Sequence, residues 1–384
     1  MVRLLAALGL GGVLYLTPMV FHLEAFSAAQ VTRGLALAAL LGTAGRLLSG
    51  VLLDRGRSCS LPVLLALAVQ LLGDGVLLQA QQSGGYLVGQ VLLGLAMGLY
   101  WPAIELAVPL TCGAMPSARA FALVRTADAV GVAVGALLGA ALALLGALRG
   151  IYVVDLAVLV AIATLLLRHP LPHPRRRLAS DRPARGAGAA AERWWQPLLP
   201  LYGVALLATA MPALMQSALP LDLVRGGLAR PALAESFGAL VIGLQLGLLV
   251  VLQWPVGRAL AERPVPQGLG LSLVAFAAGN SLLALSALLP GGLALLLLAQ
   301  LPLAVGQAAF LPIATEAAVR LSPASHQGLA MALFSQCFAL SSMVAPLLAG
   351  VLLDHQGHGV GLWLAMAGVC LAGLALVGQI RVRG

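Results

Sequence analysis

Lysine is absent: all 22 basic residues of this chain are arginine. Charge of either sign is scarce, 9% of 384 residues against 61% hydrophobic, whereas an ordinary soluble domain is about 25% charged. A soluble fold of this size could not cover its surface with so few charges. That excludes a cytosolic enzyme, and the same composition excludes a disordered or collagen-like chain. Cysteine is confined to Cys59, Cys112, Cys337 and Cys370, far apart and without a Cys-x-x-Cys pair, so neither a zinc site nor a disulfide framework is implied. Without lysine no Gly-x-x-x-x-Gly-Lys-Ser/Thr loop can exist, which excludes ATP-driven pumping of that form. No cofactor and no metal is expected; His355 and His358 resemble a metal pair but sit in a short outer loop without further ligands.

What is present is apolar. A mean hydropathy of +1.00 makes lipid the solvent for most side chains, so the chain reads as an all-α, multi-pass membrane protein. A helix needs about 20 apolar residues to cross a bilayer. Runs broken by Arg, Pro, Gly and Gln predict twelve such helices, at 4–21, 28–53, 60–80, 86–109, 119–147, 151–167, 197–219, 236–254, 268–289, 293–318, 328–353 and 360–378. A β-barrel is excluded because no ten-residue alternation of apolar and polar positions occurs. The first run has the outline of a signal peptide, but the second half opens on a similar helix, so it is read as a span.

The net charge of +9 raises nucleic acid as a partner, but the arginines lie in short gaps between apolar runs and mark topology instead. With the first residue inside, sixteen arginines, Arg3 and Arg320 among them, fall in cytoplasmic segments. Four (Arg33, Arg149, Arg225, Arg230) fall outside and two (Arg46, Arg125) within spans. This bias places both termini in the cytoplasm and the protein in the plasma (inner) membrane. A basic, proline-rich segment, 168–196, reads as a cytoplasmic linker able to rest on anionic lipid headgroups. It separates a six-helix bundle at 1–167 from another at 197–384; a monomer is expected.

The halves repeat. Gly50-Val-Leu-Leu-Asp54-Arg55 closes span two and Pro255-Val-Gly257-Arg258, with Glu262 and Arg263, closes span eight about 207 residues later. Gly94, Gly98, Pro102 and Glu105 of span four have counterparts in Gly306, Pro312 and Glu316 of span ten, and Gly131, Gly135 and Gly139 of span five face Pro346 and Gly350 of span eleven. A parallel repeat of six-helix units is a transporter architecture.

On these residues the sequence resembles the major facilitator superfamily along its whole length. That family's signature after its second helix, Gly-x-x-x-Asp-Arg, an aromatic and Gly-Arg-Arg, is matched by Gly50, Asp54, Arg55, Gly56 and Arg57; the aromatic is missing and Ser58 replaces the last arginine. Proton-coupled drug exporters of the family carry an arginine where Gln90 stands here, and a proline where Ala136 stands. The resemblance implies two pseudo-symmetric six-helix bundles and a secondary transporter working by alternating access. It also implies that Asp54 latches the cytoplasmic side against the start of span eleven near Gly328, with Glu262 acting likewise near Arg119.

Glu105, Arg125 and Asp128 fall at similar depth on neighbouring spans and Arg125 and Asp128 share a helix face. They read either as a proton or anion site or as a permanently paired brace. Glu316, with no arginine expected near it in its span, reads as a proton carrier or a solvated end residue. Arg46 inside span two needs a partner and reads as structural. Asp74 and Asp155 also read as structural, Asp155 pairing with Arg149. Tyr15, Trp101, Tyr202, Met211, Met215, Gln216, Gln245, Gln307 and Gln336 are candidate cavity-lining residues, a mostly apolar set that suits an amphipathic organic solute. The glycines of span five are expected to let the two halves pack closely, with Pro346 bending span eleven opposite them. The sequence thus predicts a proton-coupled transporter of a small organic solute, leaning towards efflux. The alternatives are an organic-anion or nutrient importer, and a sensor or scaffold that kept the fold; neither an enzyme nor nucleic-acid binding is expected.

Overall fold

The computed structural model describes residues 1–24, 26, 28–174 and 193–380, and among them no strand occurs. The chain forms α1 (Val2–Leu23), α2 (Ala28–Asp54), α3 (Ser60–Gln79), α4 (Ser83–Thr111), α5 (Ser117–Leu144) and α6 (Gly150–Arg168). After the linker come α7 (Leu199–Arg225), α8 (Glu235–Leu260), α9 (Val265–Leu288), α10 (Leu293–Leu321), α11 (Gln327–Gln356) and α12 (Val360–Val377). Each helix falls on one of the predicted apolar runs. Eleven contain a stretch long and apolar enough to cross a membrane, and the Val2–Val13 part of α1 is also apolar. In lipid every backbone N–H and C=O must be satisfied within its own segment, so an apolar run has no option but the helix. The chain is an all-α, multi-pass membrane protein. Most of the predicted linker, including Arg175, Arg176, Arg177, Arg182 and Arg185, lies outside the described residues, as do Arg381 and Arg383.

The helices group into two compact units. The first holds residues 1–115, 124–194 and 322–336; the second holds 116–123, 195–321 and 337–384. The first turns of α11 therefore belong with α1–α6, and the first turns of α5 with α7–α10.

Small residues bring helices together within the first unit. A Cβ on Gly94 would fall 2.0 Å from the Ala38 carbonyl oxygen, and one on Gly98 2.2 Å from that of Gly42, so α4 lies directly on the backbone of α2. The glycine row of α5 does the same against α1: a Cβ on Gly131 would fall 2.6 Å from the Leu4 carbonyl oxygen, and one on Gly135 2.0 Å from that of Leu8. The expectation that this row serves packing between the halves is corrected. It faces α1 of its own bundle, because the side-chain-free stripe is rotated towards the first helix.

Two unforeseen polar staples close helix ends. Arg149 donates to Glu24 and to the carbonyls of Leu78 and Ala80, the latter two at 2.6 Å, so it does not pair with Asp155. In the second unit Asp222 accepts from Arg230 Nη2 (3.1 Å), the Gly359 amide (2.8 Å) and Trp363 Nε1 (3.0 Å). Both members of the Asp222–Arg230 pair are almost fully buried, which ties the end of α7, the following loop and the start of α12 into one network.

Candidate functional site

The end of α2 shows why the motif needs its residue types. Gly56 has φ 77°, a left-handed conformation that glycine adopts without penalty. It lets the Gly56 and Arg57 amides return to the carbonyls of Leu53 and Leu52, at 2.9 and 3.2 Å, closing the helix as a Schellman-type end. Asp54, on the last turn, is aimed at the start of α11: its Oδ1 accepts from the Gly328 amide at 2.8 Å and its Oδ2 from the Leu329 amide at 3.1 Å. These are unpaired donors of a helix start, where about half a positive charge resides. The approach depends on glycine, since a Cβ on Gly328 would lie 2.6 Å from the Gly50 carbonyl oxygen.

The repeat-related contact in the second unit uses other chemistry. Glu262 accepts from Arg119 Nη2 at 3.1 Å in an exposed pair, and Ser117, the first residue of α5, donates to Glu316 Oε1 at 2.8 Å. A Cβ on Gly257 would fall 2.5 Å from that of Ala122. Arg55, Arg57, Arg258 and Arg263 are exposed around these helix ends.

Inside the first unit Glu105 of α4 and Arg125 and Asp128 of α5 do come together, and a fourth charge joins them. Arg3, counted from sequence as a cytoplasmic loop charge, is buried in α1. Its Nη1 donates to Glu105 Oε1 at 2.7 Å and its Nε to Asp128 Oδ1 at 2.9 Å, while its Nη2 also meets Asp128. Arg125 reaches Glu105 at 2.9 Å and Asp128 at 3.5 Å. The Arg3 guanidinium also lies over the Trp101 ring, 4.9 Å from its centre, in cation–π geometry. Two arginines and two carboxylates make the cluster electrically neutral. Glu105 Oε2, Arg125 Nε and the Tyr100 hydroxyl have no partner in it. A cavity of about 60 Å³ opens beside the cluster, lined by Arg3, Tyr100, Trp101 and Asp128 and extending to Gln70 and Asp155.

Glu316 is not isolated: Arg320, one turn on, donates to its Oε1 at 2.5 Å, so the expectation of no arginine nearby is corrected. Among the described residues Arg46 has no carboxylate against it. Its Nε donates to Ser335 Oγ at 2.9 Å and its Nη1 is buried without a partner. One turn earlier Thr43 accepts from Gln336 at 2.9 Å.

The other candidate lining residues are dispersed. Met211 is buried and its sulfur accepts from Asn280 of α9 at 3.1 Å, so it packs within its own bundle. Met215 and Gln245 are buried, Tyr202 and Gln307 half-buried and Gln216 exposed. The side chain of Tyr15 lies outside the described residues. Among the described residues no group of three or more His, Cys, Asp or Glu side chains could hold a metal ion.

This architecture is shared with solved structures of membrane transporters. The chain is similar to the E. coli fucose:proton symporter FucP, with a TM-score of 0.75 and 14% identity over 99% of this chain and 96% of that one. It is similar also to the human organic anion transporter MFSD10 (TETRAN), TM-score 0.75 and 15% identity over 98% and 97% of the two chains. A bacterial homologue of the iron transporter ferroportin, in its outward-facing state, aligns with a TM-score of 0.73 and 15% identity over 100% and 98%. No protein-family model matches the chain, and no curated protein does. The chain has the major facilitator fold.

Proposed function

We propose that the chain is a secondary active transporter that moves a small organic solute by alternating access, coupled to protons and working in the export direction. The observation that carries this reading is the seat of Asp54 on the Gly328 and Leu329 amides. A carboxylate at a helix start is worth up to about 2 kcal/mol. That is enough to favour one state of a cycle and little enough to be broken in the next. The fold supports the reading, since six-helix repeats of this kind rock around a shared site. Proton coupling is in line with the E. coli neighbour, described as a fucose:proton symporter.

In this reading Gly50, Asp54, Arg55 and Arg57, with Gly257, Arg258, Glu262 and Arg263, form the cytoplasmic gate. Glu105, Arg125, Asp128 and Glu316 serve coupling or substrate binding, with Arg3 added. Protonation of Asp128, which borders the cavity, would free guanidinium donors for an anionic solute group. The protein sits in the plasma (inner) membrane as a monomer, both termini in the cytoplasm, its linker against anionic headgroups. A second reading of the cluster is favoured by its neutrality: two arginines and two carboxylates that balance one another in charge act as a fixed brace.

Purified protein in liposomes with an imposed pH gradient tests the function. Solute-dependent proton movement that is lost in Asp128→Asn supports coupled transport. Solute movement indifferent to the gradient rejects the coupling, and no movement across a broad panel of amphipathic solutes favours a sensor or scaffold.

A further inference from the structure

Asp74 of α3 and Asp155 of α6 are almost completely buried, at 0% and 1% exposure. The two carboxyl groups stand together between α3 and α6. Gln70, one turn before Asp74, donates its Nε2 to Asp155 Oδ2 at 2.7 Å, but neither oxygen of Asp74 meets an N–H or hydroxyl donor. The space is made by α1: a Cβ on Gly9 would fall 1.8 Å from Asp155 Oδ1.

Among the described residues the surroundings hold no cation to balance two negative charges. On α1, Arg3 is taken up by Glu105 and Asp128, and on α5 Arg125 by the same two acids. Arg149, at the start of α6, serves Glu24 and the carbonyls ending α3. Tyr152 of α6 donates to Thr17 at 3.0 Å, and Tyr100 of α4 borders the cavity with Asp128 of α5. Two adjacent carboxylates in such a medium cannot both stay ionised; they share a proton or hold a cation. A hard cation such as calcium takes six to eight oxygen ligands. Here two carboxyls and one amide stand among Leu67, Leu159 and Ala6, too few for that. A proton needs only the pair. The cavity of about 60 Å³ joins Gln70 and Asp155 to Arg3 and Asp128. Its walls are mostly apolar, but these four side chains supply the polar partners a water molecule needs, and the volume is enough to hold one.

We propose that Asp74 and Asp155 form a proton-binding site inside the first bundle, one proton held between the two carboxyls at neutral pH and exchanged with water through the cavity beside Asp128. The proposal does not depend on transport. Leaving the site, the proton passes to a cavity water as hydronium and leaves two carboxylates, whose repulsion draws a proton back from the cavity, while the Gln70 amide continues to hold that of Asp155.

Infrared spectroscopy on the protein in lipid nanodiscs, with carbon-13-labelled aspartate, reads this directly. The expected result is a protonated-carboxyl C=O band at neutral pH in the unmodified protein that shifts in deuterated water. The band should change in both Asp74→Asn and Asp155→Asn and stay unmoved by sodium or calcium. Asparagine mimics the neutral acid, so each variant should unfold within a few degrees of the parent. The proposal is overturned if no such band is present, if it persists unchanged in both variants, or if calcium or sodium abolishes it and raises the unfolding temperature.

Discussion

Arg3 Nη1 sits 2.7 Å from Glu105 Oε1, so the first charge of the chain is a buried member of the intramembrane cluster. It bridges Glu105 and Asp128, which Arg125 alone would hold less completely. Removing one partner of a buried ion pair costs about 3–5 kcal/mol, because the other is left charged and unpaired. Arg3→Gln should therefore lower the thermal unfolding temperature markedly. Adding Asp128→Asn should recover part of the loss, since partners in one network do not add. Equal, additive losses in a double-mutant cycle would show that Arg3 and Asp128 are uncoupled.

At the helix start of α11, Asp54→Ala removes two charge-assisted acceptors from the Gly328 and Leu329 amides. Asp54→Asn keeps a single neutral acceptor. Transport in proteoliposomes should fall about tenfold or more in the alanine variant, as a loss near 1.4 kcal/mol implies, and less in the asparagine variant. Alanine and asparagine behaving alike would remove the amide contact from the account.

The glycine row of α5 makes a steric prediction. Gly135→Val places a branched side chain where even a Cβ would stand 2.0 Å from the Leu8 carbonyl oxygen. Overpacking of this kind costs about 1–3 kcal/mol or more. Thermal unfolding in detergent should show the loss, while Gly243→Val, where a Cβ meets nothing within 4 Å, should be mild. If both variants unfold alike, α1 does not lie against that row.

The Asp222 staple makes a prediction about stability. Asp222→Ala strands Arg230 in a nearly closed site, and the unfolding temperature should drop as for Arg3→Gln. Asp222→Asn, still able to accept from Gly359 and Trp363, should lie between. No drop in Asp222→Ala would mean the buried pair contributes nothing.

Cys59, just ahead of α3, is fully buried, and burial pushes its thiol up to about 12. A raised thiol value leaves little thiolate at neutral pH, and the thiolate is the nucleophile. Maleimide should leave Cys59 unlabelled in the folded protein, with labelling appearing only on denaturation. Rapid labelling without unfolding would contradict the burial.

Much of the architecture was legible in the sequence. Twelve apolar runs became twelve helices because lipid forces each segment to satisfy its own backbone, so the decision is local. The Gly50–Asp54–Gly56 spacing was likewise readable, since a left-handed helix end and a carboxylate on the last turn are properties of a few consecutive residues. The arginine bias across the spans was readable too, since it depends only on where the arginines stand between the apolar runs.

Partners were another matter. Arg3 meets Glu105 across 102 residues and Asp128 across 125, and no local pattern carries the rotation and depth that bring them face to face. The same holds for Asp74 against Asp155, for Asp222 against Arg230, and for the α5 glycines, which turned to α1. The scarcity of charge followed from the sequence, because lipid tolerates few charges. Which of those charges neutralise one another, and which carboxyls are left without a cation, was settled only by tertiary packing, where a few ångströms decide whether a buried charge is paired.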